Sequence, residues 1–236
     1  MTFLELAKRL RQESGLQGNG PSTVVAQTGM LLKIVTWINQ AWVDIQNMRS
    51  DWSWMWGRAS LSTVADQSEY AITAWTDTDS SSALTVNGFS RLQRNTLKIY
   101  LLSAGQTEEG PLLFMEYHDW QKSFGYGSPV SGTPTTYTVL PNGKIKLSPP
   151  PDAVYYISCD YFKAATEMAI ADASTPDCPV EFHHSVWAKA LLDYAIHDEA
   201  ISLHNQSLTR AANYINRLDG AARQQIVNGA GALDDY

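Results

Sequence analysis

Cysteine is scarce in this chain: 236 residues carry two, Cys159 and Cys178. Two thiols do not make a disulfide framework, so both are expected to be reduced and buried. Basic charge is short as well. Seventeen Lys and Arg stand against 24 Asp and Glu, a formal net charge of −7. Wrapping nucleic acid needs clustered cations, which excludes it as the main task, though not a protein that lets DNA pass by. No apolar run reaches the length of a membrane span. No signal peptide is read either, because Met1 to Lys8 is already amphipathic. A soluble protein, made or assembled in the cytoplasm, is expected. Phosphate loop, dinucleotide fingerprint, zinc-protease motif and nucleophile elbow are all missing, so no cofactor is expected. No internal repeat is found.

What is present is a large apolar and aromatic share, 44% and 11%, enough for a core. Thr2-Phe3-Leu4-Glu5 reads as a capping box, in which hydroxyl and carboxylate each take an orphan amide. A helix follows to about Ser14, with Phe3, Leu6, Ala7 and Leu10 as its apolar stripe and Gly15 as its stop. Thr28 caps a second helix to about Met48, with a stripe of Leu31, Ile34, Val35, Ile38, Ala41, Trp42, Ile45 and Met48. Pro179 opens a third, to about Ala200, whose apolar face holds Phe182, Val186, Ala190 and Tyr194 with Trp187 and Leu191 beside it. A turn near 202–207 leads to a fourth, with Leu208, Ala211, Ile215, Leu218, Ala222 and Ile226 as its stripe. After Asn228-Gly229 periodicity ends and the tail is acidic.

The middle reads as strands. Residues 58–64, 69–73 and 112–117 are short candidates, and Leu97, Ile99 and Leu101 mark a clear one within 92–102. Residues 75–87, rich in Thr, Asp and Ser, read as a surface loop, and 118–124 as a helical turn. Leu140-Pro141-Asn142-Gly143 is a strong turn signal. A type I turn with Gly143 as a bulge suits Pro141; a two-residue Asn-Gly turn is the other option. Tyr137 and Val139 before it, and Ile145 and Leu147 after it, put one face of a hairpin inward. Pro149-Pro150-Pro151 reverses the chain. The next strand has Tyr155, Ile157, Cys159 and Tyr161 on one face, and a three-stranded meander is expected.

The expected class is α+β: a four-helix body from the N- and C-terminal helices, with an antiparallel β-rich module inserted. The expected boundaries are 1–57, 58–165, 166–228 and a flexible tail at 229–236.

Chemistry is harder to find. Trp52, Trp54 and Trp56 alternate and would share a face if extended, as a sugar platform or as a packing and interface wedge. Packing is the better account, because Trp usually contributes area to cores and interfaces. Asp193 and His197 sit one turn apart with His204 beyond, but no third metal ligand is indicated, and packing histidines account for them. Glu116, Asp119, Glu181 and Glu199 could pair as glycosidase carboxylates, yet none lies in a motif. Lys8, Arg9 and Arg11 form a small basic cluster that reads as a solvated helix face.

Three segments carry a resemblance. The first is the opening, with Gly18-Asn19-Gly20-Pro21, Ala41-Trp42-Val43-Asp44-Ile45 and Asp51-Trp52. The second is the strand, Pro141-Asn142-Gly143, strand, proline, strand middle. The third is Pro179-Val180-Glu181-Phe182-His183, opening a Trp- and Ala-rich helix. In this order they resemble the head-to-tail adaptor proteins of tailed bacteriophages, the head-completion or tail tubular protein A family. The resemblance implies a non-enzymatic virion protein at the head-tail junction. Such a protein forms a homo-oligomeric ring of twelve subunits under the portal protein, extends the DNA channel and docks the tail or nozzle protein. DNA would pass without sequence-specific binding, and no membrane is involved. The C-terminal tail would reach the portal, making Ala230, Leu233, Asp234, Asp235 and Tyr236 the candidate portal contacts. A tail-associated peptidoglycan hydrolase and a non-virion assembly accessory protein are the alternatives.

Overall fold

A computed structural model describes residues 1–236 except Asn19, Ser50, Ser128 and 231–236; over 223–230 it describes the backbone alone. The chain runs α1 (Phe3–Glu13), α2 (Gly29–Asn47), β1 (Trp56–Ser62), β2 (Glu69–Tyr70), β3 (Thr76–Asp77), β4 (Phe89–Leu92) and β5 (Lys98–Leu101). It continues through β6 (Gly110–Pro111), β7 (Leu113–Phe114), α3 (Tyr117–Phe124), β8 (Thr136–Val139), β9 (Ile145–Ser148), β10 (Tyr155–Lys163), α4 (His184–His197) and α5 (Ile201–Ala230). The class is α+β, with antiparallel pairing throughout except for β7 against β8. Two compact units result: Met1–Trp54 with Ala165–Tyr236, and Met55–Ala164.

The helical unit starts at the expected capping box. The Thr2 hydroxyl accepts from the Glu5 amide at 3.3 Å and Glu5 accepts from the Thr2 amide at 2.9 Å. Phe3, Leu6, Ala7 and Leu10 are all fully buried, and Gly15 adopts φ +73° just past the end. In α2, Ile34, Val35, Ile38, Ala41, Trp42 and Ile45 are buried, while Met48 at the end is exposed. Helix α4 is the centre of this unit, packed on α1, α2 and α5, and Ser185 to Ala188 are buried in succession. A turn of 3-10 helix at Val180–Phe182 precedes it. The break after it falls at 198–200, where Glu199 takes φ +52°, rather than at 202–207, which are the first turns of α5. In α5, Ser207 is buried and Leu208 is half exposed, reversing the expected stripe at that point. The Ser207 hydroxyl donates to the Leu203 carbonyl at 2.5 Å, which satisfies it inside the packed face. The helix continues through Asn228 and Gly229 to Ala230.

In the β-rich unit, β10 is the central strand. It pairs with β1 over seven residues, from Trp56 opposite Phe162 to Ser62 opposite Tyr156. On its other side it pairs with β5 and then β4. The sheet order is β3-β1-β10-β5-β6, and a second sheet runs β2-β9-β8-β7. Tyr155, Ile157, Cys159 and Tyr161 point into one core that both sheets share with Trp75, Leu97, Tyr137, Ile145 and Leu147.

Three expectations are corrected here. The meander is absent: β8 and β9 form the hairpin, but β10 belongs to the other sheet. The proline run at 149–151 cannot continue a ladder, so it carries the chain across instead of back. Residues 75–87 are not simply a surface loop, because Trp75 is fully buried and Leu84 and Asp77 are buried too. The hairpin alternation also breaks at its turn end: Thr138 is fully buried and Val139 is 41% exposed. The turn itself is the bulged form, with Gly143 at φ +78° and its amide donating to the Leu140 carbonyl at 2.9 Å.

Candidate functional site

The tryptophan ladder is dissolved by local geometry. A turn of 3-10 helix at Ser53–Met55 replaces the extended backbone that alternation required. Trp52 is 1% exposed and its indole N–H donates to the Ile45 carbonyl at 3.0 Å. Trp54 stacks on it, ring centroids 4.5 Å apart. The Arg49 guanidinium lies 5.3 Å from the Trp52 ring and binds Asp51 at 2.8 Å and Asp219 at 2.6 Å. Hydrogen bonding to Asp51 raises its basicity, burial works against it, and Asp219 adds to the rise. These groups tie the end of α2 to α5. Trp56 sits in β1, exposed, with its ring edge-on to Phe162 at 5.4 Å. These three rings form no flat sugar platform, because the first of them is buried.

The buried polar groups bind the chain's own backbone. Asn39 and Gln46, seven residues apart on the buried face of α2, each use both ends of the side-chain amide. The Asn39 oxygen accepts from the Met168 amide at 3.1 Å and its nitrogen donates to the Met168 carbonyl at 3.3 Å. Gln46 does the same with Thr166, at 3.2 and 2.8 Å. They replace the missing neighbour strand of an extended segment. Asp172 accepts from the Val24 amide and the Thr23 hydroxyl, at 2.6 and 2.9 Å. His183, 2% exposed, has Nε2 3.0 Å from the Cys178 carbonyl and Nδ1 2.6 Å from the Met1 amine. Nδ1 also lies 3.0 Å from the Met1 carbonyl, so the ring ties the start of the chain to the segment before α4.

The remaining candidates are scattered. Asp193 is pushed up by burial, with Lys189 opposing and Asp44 adding to the rise. Lys189 bonds Asp44 at 2.9 Å. His197 instead meets Lys33 at 2.6 Å and the edge of Trp37. Among the described residues no group of three ligating side chains could hold a metal. Glu116 pairs with Arg94 and Asp119 with Lys122 at the surface, while Glu181 and Glu199 are exposed. The basic cluster on α1 is engaged locally. Arg9 bonds Glu13 at 2.7 Å, Glu13 also holds Arg210 at 2.7 Å, and both guanidiniums lie 5.5 Å from the Trp187 ring. Arg11 donates to the Gln17 carbonyl. Of the tail candidates, Ala230 ends α5 and its side chain is outside the described residues, as are Leu233, Asp234, Asp235 and Tyr236 altogether.

One concave surface stands out in the β-rich unit, a cavity of about 580 Å³ under α3. Trp120 forms its floor, donating to the Ser148 hydroxyl at 2.6 Å with the Lys146 ammonium 4.9 Å from its ring. Phe124 and Tyr126 stand exposed at its rim. Among the described residues that line it, none is acidic. No helix among the described residues is long and apolar enough to cross a membrane.

These surfaces describe a scaffold, a protein whose specialised polar groups hold its own chain in shape. The sequence as a whole agrees: the chain belongs to the SU10 adaptor protein family, whose model matches residues 1–234. It is a phage adaptor protein, a structural component of the virion. Comparison with curated proteins gives no match.

Proposed function

We propose that this adaptor works at the head-tail junction as a dodecameric ring under the portal protein. The ring extends the DNA channel and offers the tail or nozzle protein a docking surface. DNA passes through without being read. The protein catalyses no reaction, needs no cofactor, and is assembled in the host cytoplasm into the virion. The family match over nearly the whole chain carries this reading. The use of Asn39, Gln46, Asp172 and His183 in backbone bonds supports it, since a ring subunit needs rigid lateral faces rather than an active site. Residues 230–236, with Asp234 and Asp235 near their end, are the proposed portal contact, and engaging the earlier ring would make assembly sequential.

Negative-stain microscopy of the purified protein mixed with its portal tests the proposal. Twelve-fold rings capping the portal are expected. A monomer that leaves the portal bare, or a protein missing from purified virions, would overturn it. Truncation before residue 230 should abolish portal binding while leaving the helical unit folded. The hydrolase alternative loses its glycan platform with the burial of Trp52.

A further inference from the structure

The outer face of the sheet around β10 changes character at one end. Ladder bonds from the Thr63 amide to the Tyr155 carbonyl and from the Leu102 amide to the Val154 carbonyl carry the β1-β10-β5 register beyond the strand ends. That register sets Val64, Val154 and Leu102 side by side in one row, 56%, 43% and 49% exposed. In the next row Tyr156 and Tyr100 lie beside Ser62, their ring centroids 5.2 Å apart. Neither row holds a charged residue. The free face of an antiparallel sheet is ordinarily polar, and a contiguous apolar patch on it marks an interaction site. Two carboxylates border the patch, Asp66 and Asp152, each two residues from one of the exposed valines. The Asp66 amide donates to the Pro151 carbonyl at 2.7 Å, which brings their two segments together. Asp66 accepts from the Ser131 hydroxyl and Asp152 from the Tyr155 hydroxyl, at 2.5 and 2.7 Å. Among the described residues neither forms an ion pair.

We propose that this face docks a different protein, through a segment that brings aliphatic side chains flanked by lysine or arginine. The proposal rests on the adaptor role and names a surface of the subunit that serves it. The aliphatic and aromatic side chains supply a water-excluding centre, and the carboxylates at the rim select a partner with cations. A stable interface takes about 800 Å² from each partner, so these five apolar side chains are its centre and not its whole. A second copy is disfavoured by charge. Ten of the chain's 17 lysines and arginines already pair with a carboxylate among the described residues. One of the ten is Lys98, a row further along the same face, held by Glu109 at 3.0 Å. At a net charge of −7 the chain has carboxylates to spare and few cations to offer itself. Nucleic acid is disfavoured by the same carboxylates, which repel phosphate.

The test places a photo-cross-linking amino acid at Leu102 in assembled virions. An adduct to another virion protein is expected, and mass spectrometry should map it to a segment with lysine or arginine beside aliphatic residues. Adducts only to a second copy, to a segment without cations, or to no protein would overturn the proposal and leave the adaptor role standing. Absence of the protein from virions would overturn both. In the same particles, Val64→Lys should cut the adduct yield at least about tenfold and Val64→Glu no more than about threefold. Both changes lose the apolar contact, and only lysine opposes the partner's charge. Equal losses from the two, at unchanged thermal stability, would also overturn the proposal.

Discussion

Replacing Tyr161 by Phe removes one atom from the β-rich core and should cost about 2 kcal/mol, a figure the local structure makes specific. The Tyr161 hydroxyl donates to Asp77 at 2.5 Å, and the Ser80 amide donates to the other carboxylate oxygen at 2.7 Å. Asp77 is 7% exposed and Tyr161 3%, at the edge where β3 meets β1, so the carboxylate depends on protein donors more than on water. Burial alone would push the Asp77 carboxyl up, but the Tyr161 hydroxyl and the Ser80 groups outweigh it and hold the carboxyl below its ordinary value. The sign follows. A group depressed in the folded state lends stability above the unfolded value of roughly 3.9, and that stability is lost as pH falls through the lower folded value. The cost of Tyr161→Phe should therefore be full at pH 7 and shrink as pH drops below about 4, where the variant's unsupported carboxyl takes up a proton first. Urea unfolding of wild type, Tyr161→Phe, Asp77→Asn and the double variant gives the coupling directly, about 1.5–3 kcal/mol at neutral pH. A coupling under roughly 0.5 kcal/mol, or a cost equal at pH 7 and pH 3.5, would refute the claim that this buried pair is charge-assisted.

Other sites give equally definite outcomes. Arg49→Ala should destabilise by about 2–4 kcal/mol in chemical unfolding, because Asp51 and Asp219 lose a shared cation and Trp52 its cover; Arg49→Lys should restore less than half, lacking the planar fork. Cys159 and Cys178 are both pushed up to about 12, chiefly by burial, so neither should react with a thiol reagent at pH 8 until denaturant is added. Gly143→Ala should cost about 1 kcal/mol in thermal or urea unfolding, all of it conformational: φ is +78° and an added Cβ meets nothing within 4 Å.

Legibility in the sequence followed the range of the forces involved. The cap at Thr2, the stripe of α1, that of α2 from Ile34 to Ile45 and the turn at Gly143, in the first of its two expected forms, depend on residues within a few positions of each other, and these stand where the sequence placed them. The buried face of β10 was readable for the same reason. Which sheet β10 joins was not, because pairing with β1, a hundred residues away, leaves no local trace. Two-residue strands such as β2, β3, β6 and β7 are too short to show a period. Trp75 was misplaced by composition, which describes the neighbourhood and not the side chain, and Thr138 by an alternation that breaks at the turn end. A shared face for the three tryptophans was conditional on extended backbone, and one 3-10 turn intervenes.

The amides of α2 left a signal that could have been used. Asn39 and Gln46 follow Ile38 and Ile45 and lie four residues beyond Val35 and Trp42, inside the apolar stripe. A polar side chain repeated after seven residues on a buried helix face needs a partner of fixed geometry, since an unsatisfied buried amide costs about 1–3 kcal/mol. The partner most able to give donor and acceptor together is an extended backbone, and here it is Thr166 and Met168. Two residues separate those positions on one side of an extended chain, about 6–7 Å, while the two amides stand about 10 Å apart along the helix axis. The segment must therefore cross α2 obliquely or the side chains lean toward each other. Either way the match fixes one register between helix and segment, and with it the path of the chain as it re-enters the helical unit.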